Sequence, residues 1–404
     1  MRTLRAVRSF PLPVRLLLVN QLGVNTGFYL LIPYLAGHLG QDLGLSAVAV
    51  GVVLGVRNLS QQGLFVLGGS AADRLGPRGV IIAGCGLRTA GFALFALGDG
   101  IPVLLAASVL SGLAGALFNP AVRTYLAQES GERRAEAFAL FNVFATAGAL
   151  LGPVLGTLLL ADFRLAALTA AGIFALLTVA QAVALPARPV PAPTTRVLGD
   201  WREVLADRRF LAFALAMVGL YALETQLYLL LPAAARRATG LDGSVSLLLL
   251  TGTAANLALQ LRITRLLEPR GDRARWIACG LAVMGLAFVP PLLLPGPAPL
   301  LLAVLLLNLG VMTAQPFVLE LIPAFGRERL TGTYFGLFYL ISGLAAAAGN
   351  AAVGAAMDAS DRAPWALCCA IGLGSAAAVT AVRRRRPLPG PAALGPARRR
   401  AEAR

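Results

Sequence analysis

Three ionisable side chains lie deep inside apolar runs of this sequence: Arg57, Arg88 and Glu224. A charge near the centre of a bilayer costs roughly 2.5–3.5 kcal/mol on insertion scales, so each such group needs a partner or a task. Glu224 is the one carboxylate well inside a run, whereas Asp99 and Glu320 stand near run ends. A carboxylate so placed can bind a proton on one side of a membrane and release it on the other. It can equally neutralise a buried arginine or face the outer water layer. Arg57 has Asn58, Gln61 and Gln62 beside it, while Arg88 fits a structural pairing with backbone carbonyls or with Glu224. Two buried cations against one buried carboxylate favour an anionic or zwitterionic ligand.

Other chemistries lack their residues. His38 is the single histidine, so a histidine-based zinc motif cannot be assembled, and Cys85, Cys279, Cys368 and Cys369 have no zinc-like spacing with it. His38 reads as a solvated loop side chain, and the cysteines read as small buried apolar residues. There is no Gly-x-Ser-x-Gly elbow, and all 35 basic residues are arginine, so no Walker lysine exists. Metal sites, disulfides, cofactors and nucleotide-driven pumping by this chain alone are therefore not expected.

The elements that must position these groups are membrane-length helices. The chain of 404 residues is 57% hydrophobic and only 13% charged, with mean hydropathy +0.75, against roughly 25% charged residues in a soluble domain. Twelve apolar runs stand near 14–36, 47–69, 79–97, 102–122, 136–160, 163–185, 210–232, 244–266, 274–294, 298–320, 331–356 and 364–382, each near the ~20 residues that a span needs. The first run is long and sits within a repeat, so it reads as a retained helix and not a cleaved signal. The second half repeats the first. Tyr29–Pro33 recurs as Tyr228–Pro232, Cys85-Gly86-Leu87 as Cys279-Gly280-Leu281, Asn119-Pro120 as Gln315-Pro316, and Asp73 as Glu268, all at nearly one offset. Paired halves around a central site are a common transporter plan. The expected fold is an all-α polytopic membrane protein of two pseudo-symmetric six-helix bundles, 1–185 and 210–382. A linker, 186–209, joins them, and a basic tail, 383–404, has a composition suited to disorder. In the linker, Pro186, Pro189, Pro191 and Pro193 favour extended chain up to Asp200, followed by a short interfacial helix over Trp201–Arg209.

The net charge of +16 is not a nucleic-acid signature. With the N-terminus inside, 29 arginines fall in the even-numbered loops, the two tails or the run ends beside them, including Arg123 after the fourth run. Arg164, Arg236, Arg237 and Arg362 fall on the opposite side. Loop arginines set orientation, so both termini are expected in the cytoplasm, with the tail beside anionic lipid.

The loop after the second run reads Gly69-Ser70-Ala71-Ala72-Asp73-Arg74-Leu75-Gly76-Pro77-Arg78. It resembles motif A of the major facilitator superfamily, whose key residues fall here on Gly69, Asp73, Arg74, Gly76 and Arg78. Glu268–Arg273 resembles the degenerate second copy. In that family the loop locks one conformation by contacting span 11, which here points to Thr331–Thr333. Span 2 before this loop, and Leu110–Pro120 in span 4, resemble the twelve-span drug:proton antiporters. Gly148-Ala149-Leu150-Leu151-Gly152-Pro153-Val154-Leu155-Gly156 is similar to the antiporter motif C associated with export, although an upstream glycine is missing and Thr157 replaces the last one. A Gly-Pro kink for packing explains Gly148, Gly152, Pro153 and Gly156 equally well. Ser108 occupies the place of the arginine that many family members use in proton coupling.

The resemblance implies proton-driven efflux of drug-like or natural-product molecules by rocker-switch alternating access, in a bacterial cytoplasmic membrane. The expected partners are a small-molecule substrate, protons and lipid; the chain is expected to act as a monomer and to bind no nucleic acid. Spans 1 and 7 line the family's cavity, so Glu224 becomes the proton-coupling candidate. Arg57, Gln61, Asn20, Gln21, Asn25, Asn119, Asn142, Gln226 and Gln315 become cavity candidates, although each polar residue can instead bond across helices. The alternatives are an uptake permease or facilitator for a small organic anion on the same fold and, more remotely, a membrane sensor or intramembrane enzyme.

Overall fold

The computed structural model describes residues 6–159, 162–187, 196–240, 243–270 and 272–385. Pro189, Pro191, Pro193 and the tail beyond residue 385 lie outside the described residues. No strand occurs among those described. In chain order the helices are α1 Leu12–Gly37, α2 Ala47–Gly63, α3 Phe65–Leu75, α4 Pro77–Leu97, α5 Ile101–Glu129, α6 Arg134–Leu158, α7 Phe163–Ala184, α8 Val197–Ala206, α9 Arg208–Ala216, α10 Val218–Glu224, α11 Leu230–Thr239, α12 Gly243–Leu267, α13 Arg273–Leu286, α14 Val289–Leu293, α15 Pro297–Leu321, α16 Thr331–Ala359 and α17 Ala363–Arg385.

Ten helical segments among the described residues are long and apolar enough to cross a membrane, and they correspond to the third through twelfth runs. The first run is the 26-residue α1, and the second divides at Leu64 into α2 and α3. Local chemistry sets several of the starts. Ser46 caps α2, Asp162 caps α7, Asp207 caps α9 and Asp272 caps α13, each side chain accepting from a backbone N–H of the first turn. Proline enters at the first turn of α1, α4, α5 and α15, where its missing N–H costs nothing.

Several expectations are corrected. The linker is not extended up to Asp200, because α8 begins at Val197; nor does that helix reach Arg209, because Asp207 starts α9. Arg123 is not in a loop but inside α5, which continues to Glu129. His38 lies in a π-helical turn, bonded to Asp42 at 2.8 Å and stacked on Phe163 with ring centroids 3.7 Å apart. Cys85 and Cys368 are buried, but Cys279 is exposed.

The chain forms two compact units. Counting only the described residues, the first lies within 1–131, 140–204 and 326–340, and the second within 132–139, 205–325 and 341–404. The first has a core of tilted and edge-on aromatics, with Phe92 packed against Phe28, Phe95 and Phe174. In the second, the seventh run is a broken helix. α10 ends at Glu224, a 3-10 turn covers Thr225–Leu227, and α11 resumes at Leu230.

Candidate functional site

Within the first unit, the motif A loop meets the start of α16. Gly76 has φ 86°, a left-handed value that a glycine adopts without strain, and it turns the chain between α3 and α4. Asp73, in the last turn of α3 and beyond the apolar run, takes three hydrogen bonds. Gly332 N donates to its Oδ1 at 2.6 Å, and Thr333 N and Oγ1 each donate to its Oδ2 at 2.7 Å. Those amides belong to the first turn of a helix, where N–H groups have no intrahelical acceptor and the dipole favours an anion. Gly69 and Gly332 make the approach possible: a Cβ on either would overlap the carbonyl oxygen of the other. Burial pushes the Asp73 carboxyl up to about 7, outweighing the opposing pull of Thr333 and Gly332.

α8 straps across this joint, which no motif in the sequence announced. Arg74 donates to Asp200 at 2.5 Å, and Arg329 donates to Asp200 at 2.9 Å and to Glu203 at 2.8 Å. Trp201 Nε1 donates to Ser70 Oγ at 2.7 Å, and that oxygen lies 3.3 Å from Thr333 Oγ1. Arg78 instead donates to the Leu185 and Ala182 carbonyls at the end of α7.

In the second unit, the counterpart region is built differently. Glu268 sits in a 3-10 turn and contributes its backbone carbonyl to Arg273. Glu136, buried in the first turn of α6, accepts from Arg133 at 2.8 Å and from Arg265 at 2.7 Å. Glu320, fully buried, is held by two nitrogens of Arg273, at 2.9 and 3.1 Å.

Arg57 and Arg88 both face the Phe28 ring, with guanidinium carbons 4.7 and 5.8 Å from its centroid. Arg57 donates to Asn58 Oδ1 at 2.8 Å and to Gln61 Oε1 at 3.1 Å. Gly112 and Gly115 of α5 let α2 approach closely here, since a Cβ on them would meet the Arg57 carbonyl and the Gln61 side chain. Arg88 contradicts the expected structural pairing. It bonds to no backbone carbonyl and no carboxylate among the described residues, and instead lies 5.3 Å from the Phe118 and 5.6 Å from the Phe174 ring centroids. Such contacts are worth about 0.5–2 kcal/mol each. They offer no lone pair to the guanidinium N–H groups, and leaving a buried donor unmade costs roughly 1–3 kcal/mol.

Glu224 is half-buried at the break between α10 and the 3-10 turn, with neither a hydrogen bond nor an ion pair among the described residues. The expected alternative of an arginine partner is therefore not seen there. Beside it, Thr225 Oγ1 and Gln226 Nε2 donate to Asn350 Oδ1 of α16 at 2.8 and 3.0 Å. Asn350 was not singled out from the sequence; its position in an eleventh apolar run was the available signal.

The remaining candidates are scattered. Asn20 is 3% exposed and accepts from Gln181 of α7 at 2.6 Å, a bond across helices. Gln21 donates to Asn25, which donates to the Ala145 carbonyl of α6. Asn119 accepts from Arg123, whose guanidinium lies over Tyr339 and Phe141. Asn142 lies on α6 and Gln315 on α15. Gly148, Gly152 and Gly156 face α1, where a Cβ would press on Leu22 and Asn25, on Thr26 and Tyr29, and on Leu30 and Tyr34; the Pro153 carbonyl accepts from Tyr34.

A helical polytopic membrane protein with a broken seventh span, buried unpaired charges and a glycine-tight loop joint is built as a secondary transporter. Residues 17–350 match the family model of the Major Facilitator Superfamily, and the chain belongs to that family. It is 45% identical over 369 residues to an uncharacterised MFS-type transporter of Mycobacterium tuberculosis (strain ATCC 25618 / H37Rv), covering 88% of both chains. It is 32% identical over 365 residues to the multidrug resistance protein MdtH of Photorhabdus laumondii, covering 88% of this chain and 91% of that one. In fold it resembles the crystal structure of the human organic anion transporter MFSD10, at a TM-score of 0.72 and 19% identity, covering 91% of this chain and 98% of the other.

Proposed function

We propose that this protein exports drug-like or natural-product molecules bearing a carboxylate, in exchange for protons, by alternating access across a bacterial cytoplasmic membrane. Glu224 carries the reading. A carboxylate without a partner, at a break in a discontinuous span, is free to gain and lose a proton as access alternates. The multidrug relative at 32% identity supports export, as does the motif C stretch from Gly148 to Gly156. The arginine-rich loops lie in the cytoplasm, so Gly69, Asp73, Arg74, Gly76 and Arg78 form a cytoplasmic joint that holds the outward-facing state when it is made. The protein acts as a monomer, with Arg57 and Gln61 reaching the substrate carboxylate and Asn119, Asn142, Gln226 and Gln315 as further polar contacts. The protein's breadth of substrates would determine whether it confers antibiotic resistance.

Norfloxacin efflux from loaded cells, wild type against Glu224→Gln with and without a protonophore, tests this reading. Protonophore-sensitive export that the variant loses is the expected result. Export that persists in the variant removes Glu224 from coupling. A second reading, uptake or facilitated passage of a small organic anion, is favoured by Arg57 and Arg88 alone and predicts accumulation in place of efflux.

A further inference from the structure

We propose that Arg57 and Arg88 together form an internal binding site for the carboxylate of an aromatic acid, the ligand supplying the counter-ion that the protein withholds. The assignment names the substrate class of the exporter and rests on that reading for the acid's being cargo. Arg88 is 5% and Arg57 8% exposed, and neither has an ion pair among the described residues. The Nε atoms of both are buried without an acceptor. Arg57 commits two donors to Asn58 and Gln61, and Arg88 commits none. A guanidinium is a planar fork that matches a carboxylate in two parallel hydrogen bonds. What stands against these forks is aromatic surface, from Phe28, Phe118 and Phe174. Phe28 is the ring shared by both cations, and it is only part-buried. It holds the place of the ligand: an aryl acid replaces it, giving a ring against the remaining phenylalanines and two oxygens to the unmade donors. An inorganic anion would satisfy the charge but leave that aromatic surface unused.

Thermal unfolding of the purified full chain, without any ion gradient, separates this site from transport. Benzoate is the probe; benzamide, chloride and inorganic phosphate at the same concentration are the comparisons. Benzoate is expected to raise the Tm of the wild type progressively with concentration, and the three comparisons are not. Arg88→Gln removes an uncompensated buried cation, so the ligand-free Tm is expected to hold or rise while benzoate affinity falls about tenfold or more. Arg88→Lys keeps the charge, loses the fork and is expected to lose the preference for benzoate over chloride. A benzoate shift retained in both variants makes Arg88 a purely structural residue and overturns the site. Equal shifts from benzamide, chloride or phosphate overturn the carboxylate assignment. Failure of norfloxacin efflux leaves the outcome of this measurement untouched.

Discussion

The two copies of the motif A region solve one problem in two ways. In the first unit, a carboxylate grips backbone amides: Asp73 holds Gly332 and Thr333 N–H directly, and Gly69 and Gly332 bring the two backbones into contact. In the second, the corresponding Glu268 keeps its side chain out of such a grip, and long arginines reach to Glu136 and Glu320. A backbone grip tolerates almost no displacement, because its donors cannot follow the acceptor. An arginine fork on a flexible stem can track its partner over several ångströms. In the proposed alternation of access, the first joint is therefore made or broken as a unit, and the second gives gradually.

The largest effect that would break this contrast is steric. Gly69→Ala places a Cβ into the Gly332 carbonyl, and overpacking of this kind costs about 1–3 kcal/mol. Transport is expected to fall roughly tenfold, with hydrogen–deuterium exchange at Gly332 and Thr333 rising in parallel. Normal exchange in the variant would mean that the backbones need not touch. Next in size is Asp73→Asn, which turns one acceptor into a donor facing an N–H. A several-fold loss is expected, together with the loss of a pH signature. Because burial raises the Asp73 carboxyl to about 7, the made joint holds its proton more tightly than the open one. Its stability is full below the ordinary carboxylate range, falls as pH rises towards about 7 and is level above. Protection of the Gly332 and Thr333 amides, corrected for intrinsic exchange, should follow that course in the wild type and stay flat in the variant.

Glu136→Gln tests the adjustable joint. It leaves Arg133 and Arg265 with a neutral acceptor, and a loss of about two- to threefold in transport is expected, since exposed partners are partly screened. A loss as large as that of Gly69→Ala would erase the distinction between the joints. The smallest effect is expected from Arg329→Gln in the strap, less than about twofold and shrinking with added salt, because this arginine is a quarter exposed. Rates at low and high ionic strength check it.

Much of this was legible in the sequence because repeats, run lengths and glycine turns are local patterns. Asp73 and its neighbours at Thr331–Thr333 could be paired in advance, since the resemblance ties that loop to that helix start. The strap could not. Asp200, Trp201 and Glu203 sit in an unremarkable polar stretch, and their partners Ser70, Arg74 and Arg329 lie more than a hundred residues away. The candidate amides stayed open between two roles for a related reason. Asn20 and Asn25 are identical in type to residues that bind ligands, and only packing shows that Gln181, Gln21 and the Ala145 carbonyl already engage them. The place of Arg88 in the third span points to a structural pairing, and nothing local in the sequence signals that its surroundings are aromatic.

The hydrogen bond from Trp201 to Ser70 also gives the joint a colour. Indole emission shifts with what its N–H touches, and the other two tryptophans, Trp276 and Trp365, belong to the second unit. With those two replaced by phenylalanine, the remaining fluorophore reports directly on the strap. The opening and closing that alternating access requires can then be sought by light in unlabelled protein, in the presence of whichever substrate is supplied.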